Sequence, residues 1–181
     1  MCWMLAMPAA MSVSASALAA DIEVVQAHLE SSDDGYRLSA TFAFELNRRL
    51  EEALTHTIPL YFTTDVEITR PRWYWFDERA IAASKTIRID YNVLTRQYRA
   101  GVAGNVQQSF STLDDALLLL RRPNRWVVAE KGVLKPGELY SVSLRIRMNP
   151  EYLPKPFQVN ALNNSDWRFA SDTKTFLFRA E

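Results

Sequence analysis

The chain has 181 residues, 48% hydrophobic and 23% charged, the composition of an ordinary globular domain. Its 21 Lys and Arg balance 21 Asp and Glu and are interspersed with them, so there is no one-sign field to attract nucleic acid or an anionic membrane. Cys2 is the only cysteine, which excludes an internal disulfide and a thiolate zinc site.

Residues 1–20 stand apart. They carry no charge, are rich in Ala, Met and Ser, and end in Ala17-Leu18-Ala19-Ala20. That is the pattern of a secretory signal peptide with an A-x-A cleavage site, leaving a mature chain from Ala20 or Asp21. No Lys or Arg precedes Arg37, although signal peptides open with one, so the true translation start stays open. Residues 21–181 are expected to form a single β-sandwich domain in the periplasm, roughly 160 residues being enough to bury about two-thirds of the unfolded surface. No later apolar run approaches the ~18 residues of a membrane span.

Period-two alternation, which puts every second side chain on one face of a strand, dominates the rest of the chain. After a first strand near Ile22, the turn Ser31-Ser32-Asp33-Asp34-Gly35 leads into Tyr36, Leu38, Ala40, Phe42, Phe44 and Leu46, with polar residues between. A short helix is predicted over Asn47–Thr55, stopped by Pro59. Leu60, Phe62, Val66 and Ile68 resume the alternation, as do Ile87, Ile89, Tyr91 and Val93, and Ala103-Gly104-Asn105 joins two shorter strands. A second helix is predicted around Leu113, Ala116, Leu117 and Leu120, capped by Ser111 or Thr112 and closed by Arg121-Arg122-Pro123. Tyr140, Val142, Leu144, Ile146 and Met148 then alternate with Ser and Arg.

Just upstream, Leu134-Lys135-Pro136-Gly137-Glu138-Leu139-Tyr140 resembles the tyrosine corner of fibronectin type III and other immunoglobulin-like sandwiches. Pro136 presets a turn, Gly137 supplies a positive φ, and Tyr140 packs inward with its hydroxyl on upstream backbone. The expected fold is mainly all-β: an antiparallel, immunoglobulin-like β-sandwich of about seven or eight strands with two short helices.

Three further motifs occur in order: Thr69-Arg70-Pro71-Arg72-Trp73-Tyr74-Trp75-Phe76-Asp77-Glu78, Leu94-Thr95-Arg96-Gln97-Tyr98-Arg99, and Leu153-Pro154-Lys155-Pro156-Phe157-Gln158-Val159. Together they resemble an uncharacterised proteobacterial exported family, sometimes labelled a proline-rich signal peptide protein and often encoded beside a two-component sensor kinase. The resemblance implies export and a signalling neighbour, and it carries over no catalytic residue.

Catalytic chemistry is thinly supported. The mature chain has two histidines, His28 and His56, neither in a nucleophile or zinc motif. Adjacent carboxylates occur at Asp33-Asp34, Glu51-Glu52, Asp77-Glu78 and Asp114-Asp115, and Asp65 and Glu67 share one strand face; each is expected to be solvated or capping. No calcium loop or phosphate-binding glycine loop is present, and no cofactor is expected.

The candidate surface is Arg70, Arg72, Trp73, Tyr74, Trp75 and Phe76, residue types that anchor interfaces because they bury much area while keeping a polar handle. Ordinary core packing with an arginine over a ring is the competing reading. Pro154, Lys155, Pro156 and Phe157 form a secondary candidate, read as an extended segment covering a sheet edge or read by a partner. The leading expectation is a periplasmic, non-enzymatic interaction module whose partner is an envelope protein, such as a membrane sensor kinase. The alternative is a module that binds cell-wall glycan on its aromatic rings, and a third reading is an envelope hydrolase using paired carboxylates.

Overall fold

The structure, a computed structural model, describes residues 22–72 and 78–181, with backbone alone at 160 and 162. The expected signal peptide lies outside the described residues. The strands are β1 (Glu23–Ser32), β2 (Gly35–Ala43), β3 (Leu60–Arg70), β4 (Glu78–Asn92), β5 (Gln97–Val102), β6 (Gln108–Phe110), β7 (Trp126–Ala129), β8 (Leu139–Met148) and β9 (Lys174–Arg179). Three helices join them: α1 (Arg48–Thr55), α2 (Leu113–Arg121) and α3 (Lys155–Asn163).

The protein is an antiparallel β-sandwich. One sheet runs β1-β2-β7 and the other β6-β5-β4-β3-β8-β9. Alternation sets the inner faces. Tyr36, Leu38, Ala40 and Phe42 of β2 are buried, as are Phe62, Val66 and Ile68 of β3 and Val142, Leu144 and Ile146 of β8, all within one apolar cluster. Each large side chain so buried contributes about 1.5–3 kcal/mol. The alternation in β1 is interrupted by a bulge between Val24 and Gln26, which is why Val24 and Leu29, of opposite parity, are both buried.

Three strands cannot cover six, and helices fill the difference. α2 packs on β5, β6, β4 and β2. Thr112 caps it by accepting the N–H of Asp115, and Arg121 closes it, donating to the Phe44 carbonyl at 3.0 and 3.2 Å. α1, capped by Asn47, buries Leu50, Ala53 and Leu54 and packs near the start of β3. At the same end Phe169 sits edge-on to both Phe44 and Phe62, with ring centroids 5.0 and 5.1 Å apart.

The Pro136–Gly137 turn has the expected geometry: Gly137 adopts φ +82°, Tyr140 is buried, and its hydroxyl accepts the backbone N–H of Lys135 at 2.9 Å. Three expectations are corrected. Strand β2 ends at Ala43, with Phe44 and Leu46 buried beyond it, and Val93 lies exposed in the β4–β5 turn. Leu153–Val159 is not an extended edge segment, because α3 begins at Lys155. Pro156 is accommodated in its first turn, where backbone N–H groups have no helical partner to lose.

Candidate functional site

Three surfaces could carry function. The first is the far end of the β3–β4 hairpin. Pairing of β3 with β8 stops at Thr69, so the Arg70–Glu78 pair of β3 and β4 lies beyond the last β3–β8 partner. Arg70 pairs with Glu78 at 2.6 Å, and Arg72 pairs with the same carboxylate. Hydrogen bonds from Arg72 and Arg70 hold the Glu78 carboxyl below its ordinary value. Trp73, Tyr74, Trp75 and Phe76 lie outside the described residues.

The second is the open face of the six-stranded sheet. Asp65 and Glu67 do share that face, as their spacing predicts. Ser84 donates to Asp65 at 2.7 Å, Arg147 at 2.8 Å and Arg145 at 3.3 Å, while Glu67 pairs with Arg79. Partial burial pushes the Asp65 carboxyl up, but the bonds from Arg147 and Ser84 and the charges of Arg147 and Arg145 together outweigh it and hold it below its ordinary value. Farther along β4, six residues from Ser84, Asp90 is buried and accepts from Arg99 at 2.7 Å. Arg88 lies 2.9 Å from its other oxygen, without the alignment of a hydrogen bond.

The third is a groove of about 480 Å³ between α1 and α3. Ala53, Ile58, Pro154, Phe157 and Trp167 form its apolar wall, and Arg49, Glu52, His56 and Thr57 stand at its mouth. The secondary candidate therefore divides: Pro154 and Phe157 line the groove, while Lys155 and Pro156 are exposed and do not. Trp167, in a short 3-10 turn over Ser165–Trp167, is buried with its ring centroid 6.2 Å from that of Phe157. His56 Nδ1 donates to the Glu52 carbonyl at 2.7 Å, a capping contact. The groove and the hairpin end lie at opposite ends of β3, about 35 Å apart along a strand of this length.

Of the adjacent carboxylates, Asp77 lies outside the described residues, and several others have local roles. Asp34 pairs with Arg37 in the β1–β2 turn, Asp114 with Arg121, and Asp115 with the Thr112 hydroxyl at 2.6 Å. Among the described residues no group of three His, Cys, Asp or Glu side chains could hold a metal ion, and no helix is long and apolar enough to cross a membrane. Sequence reasoning did not find Trp167 or the Arg88–Asp90–Arg99 cluster. The latter was signalled faintly by charged residues on the polar side of an otherwise apolar alternation.

A family model described as a domain of unknown function, DUF4390, matches residues 19–177. The chain belongs to the DUF4390 family. No curated protein and no solved structure matches it. The match spans all nine strands of this DUF4390 member except the last two residues of β9, so it covers both the hairpin end and the groove.

Proposed function

We propose that this DUF4390 protein is a non-enzymatic interaction module of the bacterial periplasm, meeting an envelope protein such as a membrane sensor through the end of its β3–β4 hairpin. The observation that carries this reading is the convergence of Arg70 and Arg72 on Glu78, beyond the last β3–β8 pair. These three residues flank in sequence the run Trp73-Tyr74-Trp75-Phe76, and Trp, Tyr and Arg are residue types that suit a protein interface. The arginines around Asp65 support a non-catalytic role, since a carboxylate held ionised by cations is poorly placed to donate a proton.

The strand order supports an immunoglobulin-like reading of the sandwich. Strands β1-β2-β7 correspond to A-B-E, and β5-β4-β3-β8-β9 to the C″-C′-C-F-G order of a variable-type domain. Tyr140 then sits near the start of strand F, the place of a tyrosine corner. The departure is β6, which joins β5 instead of the smaller sheet.

The test is recovery of partners from an envelope extract by the wild type and by a Trp73→Ala/Trp75→Ala variant. Loss of a specific partner from the variant supports the reading. Equal recovery by two equally folded proteins removes the hairpin end as the contact.

A further inference from the structure

We propose that the groove between α1 and α3 binds a small amphipathic carboxylate, a molecule with an apolar body and one anionic head. Four observations meet there. The volume of about 480 Å³ falls within the range of sites for small molecules, and the mainly apolar wall with few polar groups is their usual composition.

The second observation is Trp167. It is 4% exposed and lines the groove, yet its indole Nε1–H has no hydrogen-bond partner among the described residues. Buried donors are nearly always paired, so this N–H is suited to an acceptor brought from outside. Phe157 beside it and Ile58 and Pro154 on the wall offer no such atom in their side chains.

Third, the mouth carries one cation, Arg49, and one anion, Glu52, and the anion is already engaged by Arg48 from outside the groove. Glu52 is shared by Arg48 at 2.9 Å and Arg49 at 3.8 Å, two guanidinium groups on one carboxylate. Arg49 is half-exposed and lines the groove, where a carboxylate head would find a cation with donors to spare.

Fourth, Thr57 at the lip has φ +62°. It ends α1 in a Schellman turn, with Thr57 N–H on the Leu54 carbonyl and Ile58 N–H on the Ala53 carbonyl, both at 2.9 Å. Glycine is the usual residue at that position, and a β-branched one is a backbone outlier of the kind that collects at binding sites. Topology agrees, because α1 lies between β2 and β3 and α3 between β8 and β9, connections that meet at one end of the sandwich.

The experiment titrates the purified full chain with octanoate to about 5 mM while following the Trp167 indole N–H in a proton–nitrogen NMR spectrum. Loss of that signal in Trp167→Phe assigns it. The expected result is a saturable downfield movement of the indole proton. Octanol, which has the same body without the anion, and the Arg49→Gln variant should each bind about five-fold more weakly, the worth of one modest polar contact. Octanol binding as tightly as octanoate, an indole signal that stays still while others move, or no saturable binding would each overturn the proposal. The wild-type titration and Arg49→Gln decide the matter even if Trp167→Phe does not fold. Loss of partner recovery in the hairpin variant should leave octanoate binding unchanged, so this site and the hairpin contact fail or stand separately.

Discussion

The hydroxyl of Tyr140 accepts the backbone N–H of Lys135 at 2.9 Å, tying the start of β8 to the chain five residues before it. Between them lies the turn that redirects the chain into the large sheet, and Gly137 N–H fixes its outer side by donating to the Ala180 carbonyl at 2.8 Å. Replacing Tyr140 by Phe keeps the buried ring and removes only the acceptor. Tyr140→Phe should therefore lower the unfolding free energy by about 1–2 kcal/mol, read from urea midpoints at constant slope.

Two glycines with positive φ should respond differently to alanine. At Gly35, φ +127°, an added Cβ would stand 2.1 Å from the Ala129 carbonyl oxygen, where β7 crosses close to the start of β2. At Gly137, φ +82°, it would meet nothing within 4 Å. Gly137→Ala should cost about 1 kcal/mol, the backbone strain alone. Gly35→Ala should cost about 3 kcal/mol or more, because strain and a backbone collision add. Equal melting temperatures for the two variants would contradict the close β2–β7 approach.

Thr57 reverses the usual direction. Thr57→Gly should raise stability by about 1 kcal/mol in the absence of any ligand, since glycine occupies the helix-ending left-handed position without strain. Calorimetry of the two proteins compares them directly, and a destabilised variant would mean the Thr57 side chain makes a contact worth more than the strain.

Asp65 makes stability depend on acid. Its folded carboxyl lies below the ordinary value, so between the folded and unfolded values the unfolded chain binds more protons and stability rises with pH. The contribution is complete above the ordinary carboxylate value and is lost as pH falls through the lowered one. Asp65→Asn should flatten this acid limb and cost about 1 kcal/mol at neutral pH, a figure reduced for solvent screening at a partly exposed group. Urea unfolding at a series of pH values from neutral to acid checks both parts.

The strands with strict alternation were legible because one face of each is wet: Tyr36–Phe42 and Tyr140–Met148 read directly as half-buried strands. Strands β7 and β9 were not. Trp126-Val127-Val128-Ala129 and Phe176-Leu177-Phe178 are continuous apolar runs whose outward members, Val127 and Leu177, stay exposed, so period two is hidden. α3 was missed because prolines on both sides of Lys155 imitate an extended segment. Of the candidate surfaces, the Arg70–Arg72 end was visible in composition. The α1–α3 groove was not, since Ala53 and Trp167 are brought together across more than a hundred residues by packing that no local pattern encodes.

Asp65 and Arg147, paired across adjacent strands, stand 82 positions apart. β3 gains β4 early, through a local hairpin, but its other side waits for a segment that begins at Leu139. Contacts of such high order slow folding to milliseconds or seconds. During that interval a nascent polypeptide bears a long naked strand flank carrying Phe62, Val66 and Ile68, a template for self-association that only the last quarter of the molecule, or a holding chaperone, can shield.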